Sequence, residues 1–184
     1  MSWHVALSGT PGTGKTRVAL ALRGSPASVE VGPLAARFGA ARRDREGWRV
    51  DLPRLCRELR RRRTVEPLWV GHLAHLLPVR AAIVLRCHPC RLLARLERSG
   101  RDLSRRAREE NAVAEALDLI TREALRPGVR VWEVDTTDRS LDEVAREVRR
   151  LIRERPGSRY GRIDWLGDPR VTRALPGWAR GSPR

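Results

Sequence analysis

The chain has 184 residues, 41% hydrophobic and 33% charged, which suits one globular domain around a single core rather than a disordered segment. Its formal net charge of +16 implies an anionic partner such as nucleotide, RNA or ribosome, although arginines spread through most helices also describe a solvated surface. No apolar run approaches the roughly 20 residues needed to span a bilayer, no signal-peptide pattern precedes the first strand, and three cysteines make no secreted disulfide framework, so a cytoplasmic protein without a membrane partner is expected. One Phe, one Tyr and six separated Trp argue against a base-stacking platform, so any RNA contact would be electrostatic.

Trp3 to Ser8 reads as a buried first strand, and Gly9-Thr10-Pro11-Gly12-Thr13-Gly14-Lys15-Thr16 after it fits GxxxxGK[ST], the phosphate-binding loop. Thr16 to Leu22 is rich in helix formers, so strand, glycine loop and helix come in the order that a phosphate cradle needs. Gly9, Gly12 and Gly14 let backbone N–H groups turn inward, and the helix N-terminus points its positive end at the same anion. Lys15, the only lysine in the chain, would reach the β- and γ-phosphates; the Thr16 hydroxyl would ligand Mg²⁺; Thr13 and Arg17 belong to the same nucleotide-binding stretch.

Arg23-Gly24-Ser25-Pro26 is a turn, Ser28 to Val31 a second strand, and Gly32 to Phe38 a short helix. Gly39 to Val50 is polar and arginine-rich, with no core periodicity. Asp51 caps a helix with Pro53 in its first turn, ending in Arg60-Arg61-Arg62-Arg63, cations that favour a helix C-terminus. Pro67 to Val70 is a third strand, and Ala81 to Arg86 is apolar almost throughout, as a central parallel strand should be. Cys87-His88-Pro89-Cys90 is a CxxC. Zinc would want a second pair of ligands, to which His72 or His75 could contribute, and a redox role would want a helix N-terminus; the plain reading is a strand end followed by a helix from Pro89 to about Arg98.

Ser99 to Arg108 is an arginine-dense connection, Glu109 to Leu125 a long amphipathic helix, and Val129 to Val134 a last strand; Asp138 or Ser140 caps a final helix through Ile152. From Pro156 the chain becomes a basic Gly- and Pro-rich tail, with little regular structure expected beyond Trp165, either loose or laid against a partner. The alternation predicts an α/β fold of the P-loop NTPase kind: a domain over 1–155 with a parallel sheet of about five strands, helices on both faces, and a tail over 156–184. Ligands of such sheets bind at the carboxyl ends of the strands, where the glycine loop, His72 and Arg86 would gather.

With the glycine loop, Gly71-His72-Leu73-Ala74-His75-Leu76-Leu77-Pro78, Val84-Leu85-Arg86-Cys87-His88-Pro89 and Glu110-Asn111 through Asp118 in order, residues 1–165 resemble the adenylate kinase isoenzyme six family of archaea and eukaryotes, also described as coilin-interacting nuclear ATPases. The resemblance implies a nucleoside monophosphate kinase fold, with a monophosphate-binding segment about 31–53 and a lid about 99–108. It implies broad-specificity phosphoryl transfer between ATP and AMP with Mg²⁺, and a slower ATP hydrolysis. It also implies a role in late small-subunit ribosome and rRNA maturation, with the platform protein universal S-eleven and the pre-ribosomal small subunit as partners. His72 matches the family histidine that helps position the attacking water. The family's acidic residue two positions earlier is Val70 here, with Glu66 at the other end of that strand, and the lid arginine before the family's glycine is Ser99, flanked by Arg98 and Arg101. Phosphoryl transfer spreads negative charge over equatorial oxygens, and Lys15, Arg86, Arg98, Arg101, Arg105 and Arg106 are the cations available to meet it. Two other readings stay open: a P-loop kinase of another small metabolite, and an ATP-gated, non-catalytic binding module for a ribosomal protein or RNA.

Overall fold

The computed structural model describes residues 3–22, 26–44, 47–61, 67–100 and 103–175; Arg62, Arg63, Glu66, Arg101, most of the turn at 23–25 and the tail from 176 lie outside the described residues. In chain order the elements are β1 (Val5–Ser8), α1 (Lys15–Ala21), β2 (Ser28–Glu30), α2 (Val31–Arg37), β3 (Ala41–Asp44), β4 (Gly47–Val50), α3 (Leu52–Arg61) and β5 (Leu68–Val70). A 3-10 turn at Ala74–Leu76 leads to β6 (Ala81–Arg86), α4 (Pro89–Arg98), α5 (Arg105–Ala116), α6 (Leu119–Ala124), β7 (Arg130–Asp135), α7 (Leu141–Glu154) and α8 (Pro169–Ala174).

Five strands form one parallel sheet in the order β2-β5-β1-β6-β7, with β1 at its centre. Successive residues of a strand face opposite sides, and here both sides are buried, which is why β1 and β6 are apolar without alternation. Val5, Leu7, Ile83 and Leu85 pack with Val18 of α1 and Val144 and Val148 of α7, whereas Ala6, Trp69, Ala82 and Val84 pack with Leu34 of α2, Leu55 of α3 and Ala124 of α6. The short connections at the carboxyl ends of these strands therefore open on one edge, and β1 delivers the glycine loop to its middle.

Three stretches differ from the expectation. The polar segment 39–50 folds as an antiparallel ribbon of β3 and β4, with Arg42 opposite Arg49 and Arg43 opposite Trp48. The ribbon leans on α2 and has no two-sided core of its own, so no hydrophobic alternation announces it. Its contact with α2 depends on Gly32: a β-carbon there would come within 2.3 Å of Trp48 Cδ1.

The long helix expected over 109–125 is two helices, broken at Asp118, whose φ of 56° lies in the left-handed region. A single residue there costs on the order of 1–2 kcal/mol, and the turn it makes brings its carboxylate into an ion pair with Arg86. The segment after Pro156 is also ordered through residue 175. Arg159 lies beside β7, its N–H donating to Val131 O at 2.8 Å and its carbonyl accepting from Glu133 N at 2.9 Å. Further on, Asp168 caps α8 by accepting from Arg170 N at 2.8 Å, and Val171 and Leu175, four residues apart, bury against Ala112 and Ala116 of α5. That apolar pair is what turns a tail expected to lack structure into a docked helix. No described helix is long and apolar enough to cross a membrane.

Candidate active site

The glycine loop is held from below by its own backbone geometry. Gly9 has φ 140°, and a β-carbon there would stand 2.5 Å from Leu85 O and 2.8 Å from Thr13 Oγ1, so neither the conformation nor the space admits another residue. Thr13 donates from Oγ1 to Thr10 O at 2.9 Å, and Lys15 curls over the loop, its Nζ donating to Gly9 O at 2.6 Å and Thr10 O at 3.0 Å. Gly14 precedes α1 at its N-terminus, so Lys15 and Thr16 open the helix as the sequence implied.

Arg86 is the largest departure among the candidate site residues. Its guanidinium is 1% exposed and is absorbed by three carboxylates: Nε donates to Glu115 Oε1 at 2.7 Å, Nη1 to Glu133 and Nη2 to Asp118, with a further bond from Nη2 to Glu115 O at 3.1 Å. Burial alone would lower its pKa, but the three carboxylates more than offset that and hold it above its ordinary value. Its place is under the loop rather than in the cleft: Glu115 also accepts from Thr10 Oγ1 at 2.6 Å and Cys87 N at 3.1 Å. The catalytic role expected for Arg86 is therefore corrected to a buttress of the phosphate loop. Arg105 and Arg106 likewise pair with Glu109 and Glu110 one turn along α5 and stand in solvent, where such pairs contribute little.

A cavity of about 900 Å³ opens above the loop. Pro11 to Val18 floor it, which brings together Gly12, Thr13, Gly14, Lys15, Thr16 and Arg17. On the β6–β7 side stand Arg95, Arg98, Ser99, Thr136 and Arg139 with Leu141 and Val144; on the β2–β5 side stand Glu30, Trp48, Val70 and His72. Arg95, Thr136, Arg139, Trp48 and Glu30 carry no motif, and only the topology shows that they converge. Arg95 works through its neighbour, donating to Thr136 O at 2.5 Å, while Thr136 Oγ1 donates to Arg86 O at 2.9 Å. Thr16 Oγ1 donates to Glu30 Oε1 at 3.0 Å.

His72 is delivered by the turn after β5, which Ser8 at the end of β1 holds with Oγ 3.0 Å from Gly71 O. It lines the cavity as an exposed residue, and its pKa lies below the usual histidine value, first because partial burial penalises the charged ring and then because Lys15 and His75 disfavour another positive charge. His75 is buried behind it. Its ring stands between two partners, with Nε2 2.9 Å from Glu123 Oε2 and Nδ1 2.8 Å from Ser8 Oγ. The CxxC is a helix start: Cys90 N donates to the ring of His88, the N-cap of α4, at 3.3 Å, and burial pushes the Cys87 thiol up to about 11, away from the low pKa of a redox thiol.

A strand–glycine loop–helix cradle at the carboxyl edge of a five-stranded parallel sheet defines a P-loop NTPase fold. A shikimate kinase from Acinetobacter baumannii in complex with shikimate shares it, with a TM-score of 0.56 over 84% of this chain and 95% of that one at 18% identity, a likeness of fold alone. No protein-family model matches the chain. A protein of Archaeoglobus fulgidus is 42% identical over 170 residues, covering 89% of this chain and 92% of its own length. One of Thermococcus onnurineus is 37% identical over 164 residues, covering 88% and 90%. Both carry the name "Putative adenylate kinase". The chain belongs to this family and is a nucleotide kinase.

Replacing Arg86 by Met leaves three carboxylates facing each other under the loop, and should lower the unfolding free energy by about 3–5 kcal/mol in urea denaturation. Burial lowers the His75 pKa more than Glu123 raises it, so below about pH 6.5 the unfolded chain takes up a proton that the folded chain resists. The stabilising contribution of neutral His75 is therefore complete above that pH and is lost as the pH falls through the lower folded value. Stability should fall as the pH drops below about 6.5, and His75→Gln should flatten that slope.

Proposed function

We propose that this nucleotide kinase transfers the γ-phosphoryl group of ATP to AMP or another nucleoside monophosphate, with a slower ATP hydrolysis at the same centre. The observation that carries the reading is one cavity with two unlike walls around a phosphate cradle: cationic Arg17, Arg98 and Arg139 with Lys15, and opposite them Trp48 and His72. At about 900 Å³ it stands near the top of the ~300–1,000 Å³ usual for ligand clefts, in keeping with a donor and an acceptor bound together. The name of the relatives supports the same pair of nucleotides.

In this reading the ATP phosphates lie on the loop N–H groups, and Lys15 turns from the loop carbonyls to the β- and γ-oxygens. Arg17 and Arg98 neutralise the equatorial charge that develops in a loose transition state. Leu141 and Val144 offer the donor base an apolar wall. Trp48, over Gly32, offers the acceptor base a stacking face. Thr16 has a hard oxygen donor at the cavity, of the kind Mg²⁺ takes, and the ion bound there would neutralise phosphate charge. His72, kept neutral, can accept a hydrogen bond from the acceptor or from water.

The resemblance to the isoenzyme six family extends the proposal to a late step of small-subunit and rRNA maturation, through universal S-eleven and the pre-ribosomal subunit, and the net charge of +16 suits such an anionic partner.

Lys15→Ala should reduce ADP formation from ATP and AMP by at least roughly 10²-fold in a coupled assay, with the fold intact by circular dichroism; retained turnover overturns the assignment. His72→Gly should reduce ATP hydrolysis more than AMP phosphorylation. Equal loss in the two assays would remove the water-positioning role.

A further inference from the structure

We propose that Glu30 is the carboxylate of the Mg²⁺ end of this site, orienting the Thr16 hydroxyl and holding the water shell of the ion; the inference rests on the nucleotide-binding reading above. P-loop enzymes hold Mg²⁺ with the loop Ser or Thr and a carboxylate from a neighbouring strand. The strands flanking β1 end here in Val70 and Arg86. Val70 is apolar and 2% exposed, and Arg86 is a cation with no acceptor atom, so neither can hold the ion or its waters as a carboxylate does.

Glu30 is the one carboxylate among the described residues that line the cavity. The sheet explains how it comes to stand there. Leu7 of β1 pairs in register with Val70 of β5, and Val70 pairs in register with Glu30 of β2, so Glu30 is the next strand end outward on the same row. Parallel strands lie about 4.8 Å apart, a gap that the two methylenes of a glutamate help to span. The carboxylate arrives 3.0 Å from the Thr16 hydroxyl.

The hydrogen bond has a direction that matters. A threonine hydroxyl has one proton and two lone pairs; donating the proton to Glu30 leaves the lone pairs for a cation. Electrostatics points the same way. Thr16 opens the helix at the phosphate loop, and a bare carboxylate bonded to it would repel a polyphosphate, whereas a divalent cation between the two turns repulsion into attraction. Mg²⁺ keeps several of its waters and needs few protein oxygens, so one hydroxyl and one carboxylate suffice beside the phosphates.

The test separates metal from nucleotide. ATP affinity of the full chain and of Glu30→Gln is measured by calorimetry in EDTA, and Mn²⁺ affinity of each chain's ADP complex is measured by electron paramagnetic resonance. Glu30→Gln should bind ATP in EDTA as tightly as the wild type or more tightly, because a negative charge beside the phosphates is gone. Its ADP complex should bind Mn²⁺ about tenfold or more weakly. Unchanged Mn²⁺ affinity overturns the inference. So does a matching loss of ATP affinity in EDTA, which would make Glu30 a support of the loop. A wild-type chain that binds no ATP with or without metal overturns the nucleotide site itself, and the inference with it.

Discussion

Arg86 leaves the end of β6 almost wholly buried, and the parts of the molecule that must keep fixed positions around the phosphate loop all meet at its guanidinium. Glu133 comes from β7, Asp118 from the break between α5 and α6, and Glu115 from α5. Glu115 passes the constraint on to the loop through Thr10, and to the C-terminal segment through the Trp165 indole, which donates at 3.4 Å. Desolvating a cation and its carboxylates gains little net stability, and the worth of such a cluster is in geometry. Each member has one arrangement that satisfies the others, and an unpaired charge at this depth would be costly.

The two walls of the cavity are built on different terms. The β6–β7 side rests on the sheet and on Thr136, which accepts from Arg95 at Oγ1 and O and donates to Arg86 O. The β2–β5 side ends in a two-stranded ribbon that sets Trp48 against Gly32 and packs Ala41 and Val50 on the core, with Trp48 37% exposed and the Arg43 guanidinium 5.7 Å from its ring centroid. A ribbon with few buried contacts adjusts more cheaply than a strand in the sheet, which suits the wall proposed to meet the acceptor. The His72 turn lies between, tied by Ser8 to the centre of the sheet.

Legibility followed the range of the interactions. The phosphate loop and the helix from Pro89 to Arg98 are dictated by neighbours in sequence: glycines, a Pro at the first turn, a capping side chain. The same holds for the Ser140–Glu143 capping box of α7. The break at Asp118 was hidden because the partner its carboxylate meets there, Arg86, is 32 residues away. Arg86 itself looked like a catalytic cation because its position at a strand end is local, whereas its three partners are not. The ribbon and α8 were hidden for a related reason: each offers the core only a few apolar side chains, Ala41, Trp48 and Val50 in the ribbon and Val171 with Leu175 in and after α8, too few to impose a periodicity.

By itself, then, the sequence determined the fold class, the phosphate cradle and the nomination of Lys15, Thr16 and His72, because backbone conformation, helix polarity and side-chain chemistry at those positions are properties of adjacent residues. Only the tertiary structure decided which charges face the cavity. Burial turned Arg86 inward to its carboxylates, α5 turned Arg105 and Arg106 outward to its own glutamates, and strand register set Glu30 beside Thr16. Charge is read from a sequence directly; its direction is set by contacts between residues far apart along the chain.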